Sequence, residues 1–106
     1  MKTQAGYQIQ PYEVSGYEVR IHWNIEQKTR QDMQGEVVYW EAEEVLCYVS
    51  DSRSVIIEKI IGSVYTTGAE IAIINNQASD PVAYADYQAF RAQAKQLADG
   101  WINQRN

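Results

Sequence analysis

The chain has 106 residues, of which 45% are hydrophobic and 22% charged, and this is the size and composition of one folded domain. Nine basic and fourteen acidic side chains give a net charge of -5, which disfavours nucleic acid and anionic membranes as partners, because both are bound mainly through Lys and Arg. The one cysteine, Cys47, excludes an internal disulfide, and no signal peptide or membrane-spanning run is visible, so we expect an intracellular protein.

The first half of the sequence predicts three antiparallel strands. Residues 1–6 are expected to be frayed, and residues 7–14 alternate in polarity on either side of Pro11, which favours a bent edge strand. Residues 17–26 alternate strictly between apolar and polar side chains, which predicts a central strand with one buried face. The preceding Ser15-Gly16 predicts a tight hairpin. Residues 27–35 are polar and predict a long loop, and residues 36–45 predict the third strand.

The alternation also assigns side chains to the two faces of this sheet. The core face is expected to hold Tyr17, Val19, Ile21, Trp23, Ile25, Val38, Trp40 and Ala42. The polar face is expected to hold Val37, Tyr39, Glu41 and Glu43 from the third strand and His22 from the second. Residues 46–49 continue as an apolar segment whose type the pattern leaves open.

The second half predicts three helices. Residues 50–52 are N-cap types, and apolar residues at helical spacing follow over residues 55–64. Thr67 and Glu70 have the spacing of a capping box, which predicts a short helix over residues 68–77 that buries Ile71 and Ile74. Asp80 followed by a proline predicts the start of a third helix over residues 81–104. The apolar stripe of this helix consists of Tyr84, Tyr87, Phe90 or Arg91, Ala94, Leu97, Ala98 and Trp101.

Three strands followed by three helices predict an α+β fold in a single domain over residues 1–106. Residues 7–49 would form the antiparallel sheet and residues 51–104 the helical half. The last helix is expected to be long and to pack on the sheet.

Candidate chemistry is sparse in this sequence. His22 is the only histidine, and its place on the polar face predicts a solvent-exposed side chain. Cys47 is expected to be a buried structural cysteine. Glu41 and Glu43 share a strand face about 7 Å apart, a spacing that acid–base catalysis can use, but a solvated acidic face is favoured. An enzyme would need a cleft that brings either carboxylate to His22 or Cys47, so we expect no catalytic, metal or cofactor site.

Aromatic composition is the feature that favours interaction. Eight Tyr and three Trp stand against one Phe, a preference for rings with a polar tip that suit half-buried surfaces and interfaces. These rings either cover the sheet or contact a partner. The candidate partner surface consists of Tyr39, Glu41, Glu43, Tyr84 and Tyr87.

Two segments of the second half carry a family resemblance. The sequence GAEIAIINN of residues 68–76, followed by YADYQAFRAQAK of residues 84–95, resembles small proteins encoded in bacteriophage and prophage tail regions. Many of those end in a Tyr-x-x-Tyr/Phe-Arg-x-x-Ala-Lys helix after a short helix containing Glu-Ile-Ala. The resemblance implies a phage or bacterial origin, a role in tail structure or assembly, and a location in the bacterial cytoplasm or the virion. It supplies no catalytic residue.

Two functions therefore remain from the sequence. The first is a non-enzymatic structural, assembly or interaction protein that binds a protein partner or a second copy of itself. The alternative is a module that binds a small molecule or a peptide in a pocket between the sheet and the C-terminal helix.

Overall fold

A computed structural model of the chain describes residues 1–105. In chain order these residues form β1 (Lys2–Ala5), β2 (Tyr12–Ser15), β3 (Glu18–Asp32), β4 (Gly35–Tyr48), α1 (Arg53–Gly62), α2 (Thr67–Asn75) and α3 (Pro81–Arg105). The α+β class, the three helices and the long last helix are confirmed. The chain divides into two compact units, a sheet unit of Met1–Ser50 and a helical unit of Asp51–Asn106. Packing of the long helix on the sheet stays a prediction.

The sheet has four antiparallel strands in the order β1-β4-β3-β2, so the predicted number of three is wrong. The additional strand is β1, formed by residues that were expected to be frayed. It pairs with β4, with Lys2 opposite Glu43 and Ala5 opposite Trp40. Its sequence has no apolar alternation, and this removes the signal by which a strand is usually recognised. The predicted central position of β3 is confirmed, because β4 and β2 flank it.

The predicted edge strand over residues 7–14 is shorter in the structure. Only Tyr12–Ser15 pairs with β3, because Pro11 has no N–H to donate to a strand ladder. The Pro11 carbonyl instead accepts a hydrogen bond from the His22 backbone N–H at 2.8 Å. The hairpin that follows is confirmed, with Gly16 at a φ of 62°. Tyr17 lies in this turn and is 84% exposed, so its predicted burial is wrong.

No long loop separates β3 from β4, contrary to the prediction for residues 27–35. The two strands stay paired until Asp32 lies opposite Gly35, which leaves Met33 and Gln34 as the turn. Gly35 has a φ of 116°, a conformation that favours glycine. The prediction failed because a two-stranded ribbon needs no buried face, so its polar residues carry no alternation to be recognised.

A β-bulge in β3 decides which side chains share a face. Trp23 lies opposite Glu43, whereas Glu26 lies opposite Glu41, so β3 has one residue more than β4 between these pairs. Asn24 within the bulge has a positive φ of 52°. Residues that lie directly opposite in an antiparallel pair share a face.

The bulge overturns part of the predicted face assignment. Val19, Ile21 and Trp23 are buried as predicted, but they share their face with the odd residues of β4. Trp40 lies opposite Gln27 and Ala5, on the other face. The predicted placement of Val38, Trp40 and Ala42 beside Val19, Ile21 and Trp23 is therefore wrong.

In the helical unit, α1 and α2 each pack against α3. The Ser52 hydroxyl caps α1 by accepting from the Val55 N–H at 3.4 Å, and the Asp80 carboxylate accepts from the Ala83 N–H at 3.1 Å at the start of α3. The buried side chains of α1 and α3 are Ile56, Ile60, Ile61, Tyr87, Ala94, Ala98 and Trp101. Of the predicted stripe of α3, Tyr87, Ala94, Ala98 and Trp101 are buried, and Tyr84, Phe90 and Leu97 are half-buried.

The short helix α2 differs from its prediction in two respects. Its N-cap is Thr66, whose hydroxyl accepts from the Ala69 N–H at 3.1 Å, so the predicted cap at Thr67 is wrong by one residue. None of its residues is buried. Ile71 is 54% and Ile74 is 42% exposed, although the sequence predicted that both would be buried. Within residues 1–105, no helix is long and apolar enough to cross a membrane.

Candidate functional site

The helical unit has a groove bounded by residues of α1, α2 and α3, with a volume of about 640 Å³. Its apolar lining consists of Ile57, Ile61, Tyr65, Ile74 and Tyr87. Its charged lining consists of Glu58, Glu70 and Arg91. We refer to these eight residues as the helical groove. The combination of an apolar interior with a few charged groups is typical of binding sites.

Aromatic contacts form the floor of the helical groove. Tyr65 meets Tyr87 edge to face, with ring centroids 5.1 Å apart and an interplanar angle of 81°. Phe90 lies 5.9 Å from Tyr65, and the Arg91 guanidinium lies 5.7 Å from the centroid of the Tyr87 ring. Edge-to-face rings are the favoured arrangement of aromatic pairs, so these contacts hold the floor in place. Tyr87 is itself only 3% exposed.

Some charges of the helical unit form ion pairs, whereas the charged residues of the groove, like Asp86 and Lys95 on α3, form none within residues 1–105. Arg53 and Asp99 form a two-point ion pair, with Nε to Oδ1 at 2.5 Å and Nη2 to Oδ2 at 3.3 Å. The hydrogen bond from Arg53 lowers the pKa of Asp99. In contrast, the described part of the chain contains no ion pair to Glu58, Glu70 or Arg91. These three groups are available to a ligand.

Helix α2 exposes apolar side chains, of which Ile74 lines the groove. Ile71 and Ile74 are three residues apart and therefore project from the same side of the helix. Both are largely exposed, as is Val64 at 52% just before α2 begins. Large apolar side chains that gather beside a groove are more informative than isolated ones, because contiguous apolar surface is typical of interaction sites.

In the sheet unit, the predicted acidic pair is not solvated as expected. Glu41 is only 9% exposed. Its carboxylate forms ion pairs with Lys2, from Nζ to Oε1 at 2.9 Å, and with Lys28, from Nζ to Oε2 at 3.3 Å. The Gln4 side-chain amide donates to the same carboxylate at 3.4 Å. The hydrogen bonds from Lys2 and then Lys28 lower the pKa of Glu41, and the contact with Glu41 raises the pKa of Lys2. The Glu41 carboxylate is therefore paired with two lysines, and its ion pair with Lys2 links β4 to β1.

His22 is buried, and the prediction of a solvent-exposed side chain is wrong. It is 2% exposed, with Nδ1 2.8 Å from the Gln10 carbonyl and Nε2 3.0 Å from Glu44 Oε2. A carbonyl only accepts, so Nδ1–H donates to Gln10. The Arg20 guanidinium lies 3.8 Å from the other oxygen of Glu44. The residues before Pro11 thus lie over this histidine, which a strand alternation could not reveal.

The geometry required of an enzyme is not formed by these residues. His22 shares its face with Glu44, whereas Glu41 and Glu43 lie on the opposite face of the sheet. Cys47 is fully buried, as predicted, and lies four residues along β4 from Glu43, roughly 13 Å at strand spacing. Within residues 1–105, no three His, Cys, Asp or Glu side chains are grouped so as to hold a metal ion.

The predicted partner surface falls into two places. Tyr39, Glu41 and Glu43 alternate along β4, where Arg30 lies 5.5 Å from the Tyr39 ring centroid. Tyr84 is half-buried on α3, and Tyr87 is in the floor of the helical groove. The sequence missed the importance of Glu70 and Ile74, because the apolar spacing of α2 is the same whether that side is buried or exposed.

Comparisons with protein-family models, with curated proteins and with solved structures found no match to this chain. The resemblance to phage tail-region proteins stays a prediction.

Proposed function

We propose that the chain is a non-enzymatic structural, assembly or interaction protein that binds a protein partner through the helical groove. One observation carries this proposal: α2 has no buried residue and exposes Ile71 and Ile74, of which Ile74 lines a groove whose charged residues lack ion-pair partners. A helix without a fully buried residue gains stability when a partner covers it, because an isolated helix of this length is too short to be stable alone.

Among partner types, a protein helix fits this groove best. Grooves between helices commonly accept an amphipathic helix whose apolar side chains enter the groove while its charged side chains meet the rim. Here Ile57, Ile61 and Ile74 provide the apolar wall, and Glu70 and Arg91 provide rim charges of both signs. Extended peptides would instead pair with a strand edge.

A phage or prophage origin is part of the proposal, with a location in the bacterial cytoplasm or in the virion. The resemblance of residues 68–95 supports it. Genomic neighbourhood provides the test: flanking tail or capsid genes are expected, and a neighbourhood of metabolic genes would contradict the proposed origin.

The binding function is tested by co-expressing the tagged chain with the product of each neighbouring gene and with an untagged copy of itself. At least one of these is expected to co-purify with the wild-type chain and to be lost with Ile71→Glu. Glu has a higher helix propensity than Ile, so this exposed substitution should leave the fold intact. Met33→Glu, at a fully exposed position in the β3–β4 turn, is the matched control and should retain binding. Equal retention by both variants would contradict the use of the groove.

A second candidate function is favoured by the volume of the groove. About 640 Å³ lies within the range of roughly 300–1,000 Å³ that is typical of small-molecule sites. The sequence placed such a pocket between the sheet and the C-terminal helix, whereas this groove lies within the helical unit. Native mass spectrometry of the purified chain distinguishes the two functions: a retained small molecule that is lost on Ile61→Trp, which fills the groove, would favour the small-molecule module.

A further inference from the structure

We propose that the partner of the helical groove is a second copy of this chain, docked about a two-fold axis with α2 against α2. This inference rests on the proposed function and specifies its partner. A two-fold interface is formed by the same patch on both copies, so the patch must be complementary to itself in shape and in charge.

The apolar part of the patch is self-complementary. Ile71 and Ile74 lie on one side of α2 and are exposed, and Ile74 lines the groove, whose wall is apolar. When two α2 helices cross near the axis, the isoleucines of each copy cover those of the other and meet the wall of the facing groove. Each copy thereby covers the apolar surface that its own chain leaves exposed.

Two of the three charged groove residues, Glu70 and Arg91, can pair across a two-fold axis, and the third, Glu58, is left without a counterpart. Glu70 on α2 and Arg91 on α3 line one groove, bear opposite charges, and have no ion-pair partner in the described part of the chain. The two-fold axis pairs Arg91 of one copy with the partner's Glu70, and it repeats the same pair in the other direction. A groove with charges of one sign would repel its own copy.

The distribution of charge favours association through the helical half. Residues 1–50 carry four basic and eight acidic side chains, whereas residues 51–106 carry five basic and six acidic ones. Most of the net charge of -5 therefore belongs to the sheet unit. Two helical units, each with a charge near zero, can approach without the long-range repulsion that two sheet units would experience.

Sedimentation equilibrium and light scattering of the wild-type chain provide the first test. A dimer is expected, with a dissociation constant below about 0.5 mM. Ile71→Glu introduces like charges at the axis and is expected to weaken dimerisation by at least tenfold, a typical effect at the centre of an interface. Met33→Glu adds the same charge at a distance from the patch and should leave the dimer unchanged.

Charge reversal provides a sharper test. Arg91→Glu and Glu70→Arg each place two like-charged pairs across the axis, so each variant alone is expected to dimerise about tenfold more weakly. Mixing the two variants restores opposite charges in both pairs, because Glu at 91 of one copy meets Arg at 70 of the other. A heterodimer of near wild-type affinity is expected in the mixture and not in either solution alone.

Two outcomes would overturn the inference. A wild-type chain that remains monomeric at about 0.5 mM excludes a second copy as the partner. A dimer that is insensitive to Ile71→Glu, or that mixing of the charge variants does not restore, excludes this mode of docking. The proposed function has a separate readout: if the product of a neighbouring gene co-purifies through Ile71 while the chain alone stays monomeric, the groove binds a different protein, and only the inference of a second copy fails.

Discussion

His22 shows how a single polar side chain is accommodated in the interior of the sheet unit. Both ring nitrogens face acceptors, the Gln10 carbonyl on one side and the Glu44 carboxylate on the other. Burying a polar group that keeps its hydrogen bonds changes the free energy of folding little. A buried group without a partner is destabilising, because it has lost its hydrogen bonds to water. The imidazole therefore joins the chain segment before Pro11 to β3 and β4, three parts of the sheet unit that are distant in sequence.

Replacing His22 with Ala should destabilise the protein by about 1–3 kcal/mol, because Gln10 and Glu44 lose a buried hydrogen-bond partner. Urea denaturation at neutral pH measures this change as a lower midpoint with the same slope. Gln31→Ala, at an exposed position of the same strand, is the control and should lie within about 0.5 kcal/mol of the wild type. Equal stability of the two variants would mean that the contacts of His22 contribute nothing.

Glu41 contributes to stability in a way that depends on pH. Hydrogen bonds from Lys2 and Lys28 lower the pKa of the folded-state carboxyl below its ordinary value of 4.5. In acid the unfolded chain therefore binds this proton more readily than the folded chain does. The stabilisation is complete above pH 4.5 and is lost as the pH falls through the folded-state pKa.

We accordingly predict that Glu41→Gln lowers the denaturation midpoint at neutral pH, and that its difference from the wild type shrinks as the pH falls below 4.5. Denaturant titrations between neutral pH and the acid range, at low salt, measure this difference. Glu36→Gln is the matched control, since Glu36 lies on the same strand, is exposed and forms no ion pair within residues 1–105. A difference from the wild type that persists in acid would show that Glu41 acts through packing rather than charge.

At the scale of elements, the bulge in β3 determines the composition of both faces of the sheet. Without it, the register set at the turn, Asp32 opposite Gly35, would continue and place His22 opposite Val45. One additional residue at Asn24 places His22 opposite Glu44 instead. Asn24 adopts a φ of 52°, a region that Asn tolerates better than most other residues with a side chain.

Substitution at Asn24 tests this conformation. Asn24→Val should destabilise the protein by about 1–3 kcal/mol, because a β-branched side chain is strained at a positive φ. Asn24→Gly removes the strain and should be neutral or slightly stabilising, although glycine also makes the unfolded chain more flexible. Denaturation midpoints of the two variants provide the comparison, and a valine variant as stable as the glycine variant would contradict the bulge conformation.

Sequence patterns predicted the strands and helices that bury one face. They missed the elements that have no such periodic buried face. The strand around Val19 and Ile21, the α+β order and the long helix all leave a periodic apolar signal. β1, the β3–β4 ribbon and the burial of His22 leave none, since they depend on pairing partners distant in sequence. The bulge at Asn24 is a single-residue event, and it was enough to exchange the face predicted for Trp40. Of the residues that line the helical groove, Tyr87 belonged to the partner surface predicted from the sequence, whereas Glu70 and Ile74 did not.

Over the whole molecule, local stability should vary with the burial of each element. β3 is flanked on both sides at Val19 and Ile21, and these residues are fully buried. α1 and α3 also contain fully buried residues, but α2 contains none. Amide hydrogens exchange fastest where few buried contacts resist local opening. The exchange pattern therefore distinguishes a helix that is stable in its own chain from one that needs a partner.

We predict that α2 exchanges its amide hydrogens faster than α1 and α3 in dilute solution, and that its protection increases with chain concentration as the second copy covers Ile71 and Ile74. Mass-spectrometric hydrogen exchange at two concentrations measures both effects. In Ile71→Glu, α2 should exchange rapidly at either concentration, while α1 and α3 keep their protection. If α2 and α3 were equally protected in a dilute solution of the wild-type chain, α2 would need no partner. The dimer is too dilute under that condition to account for the protection.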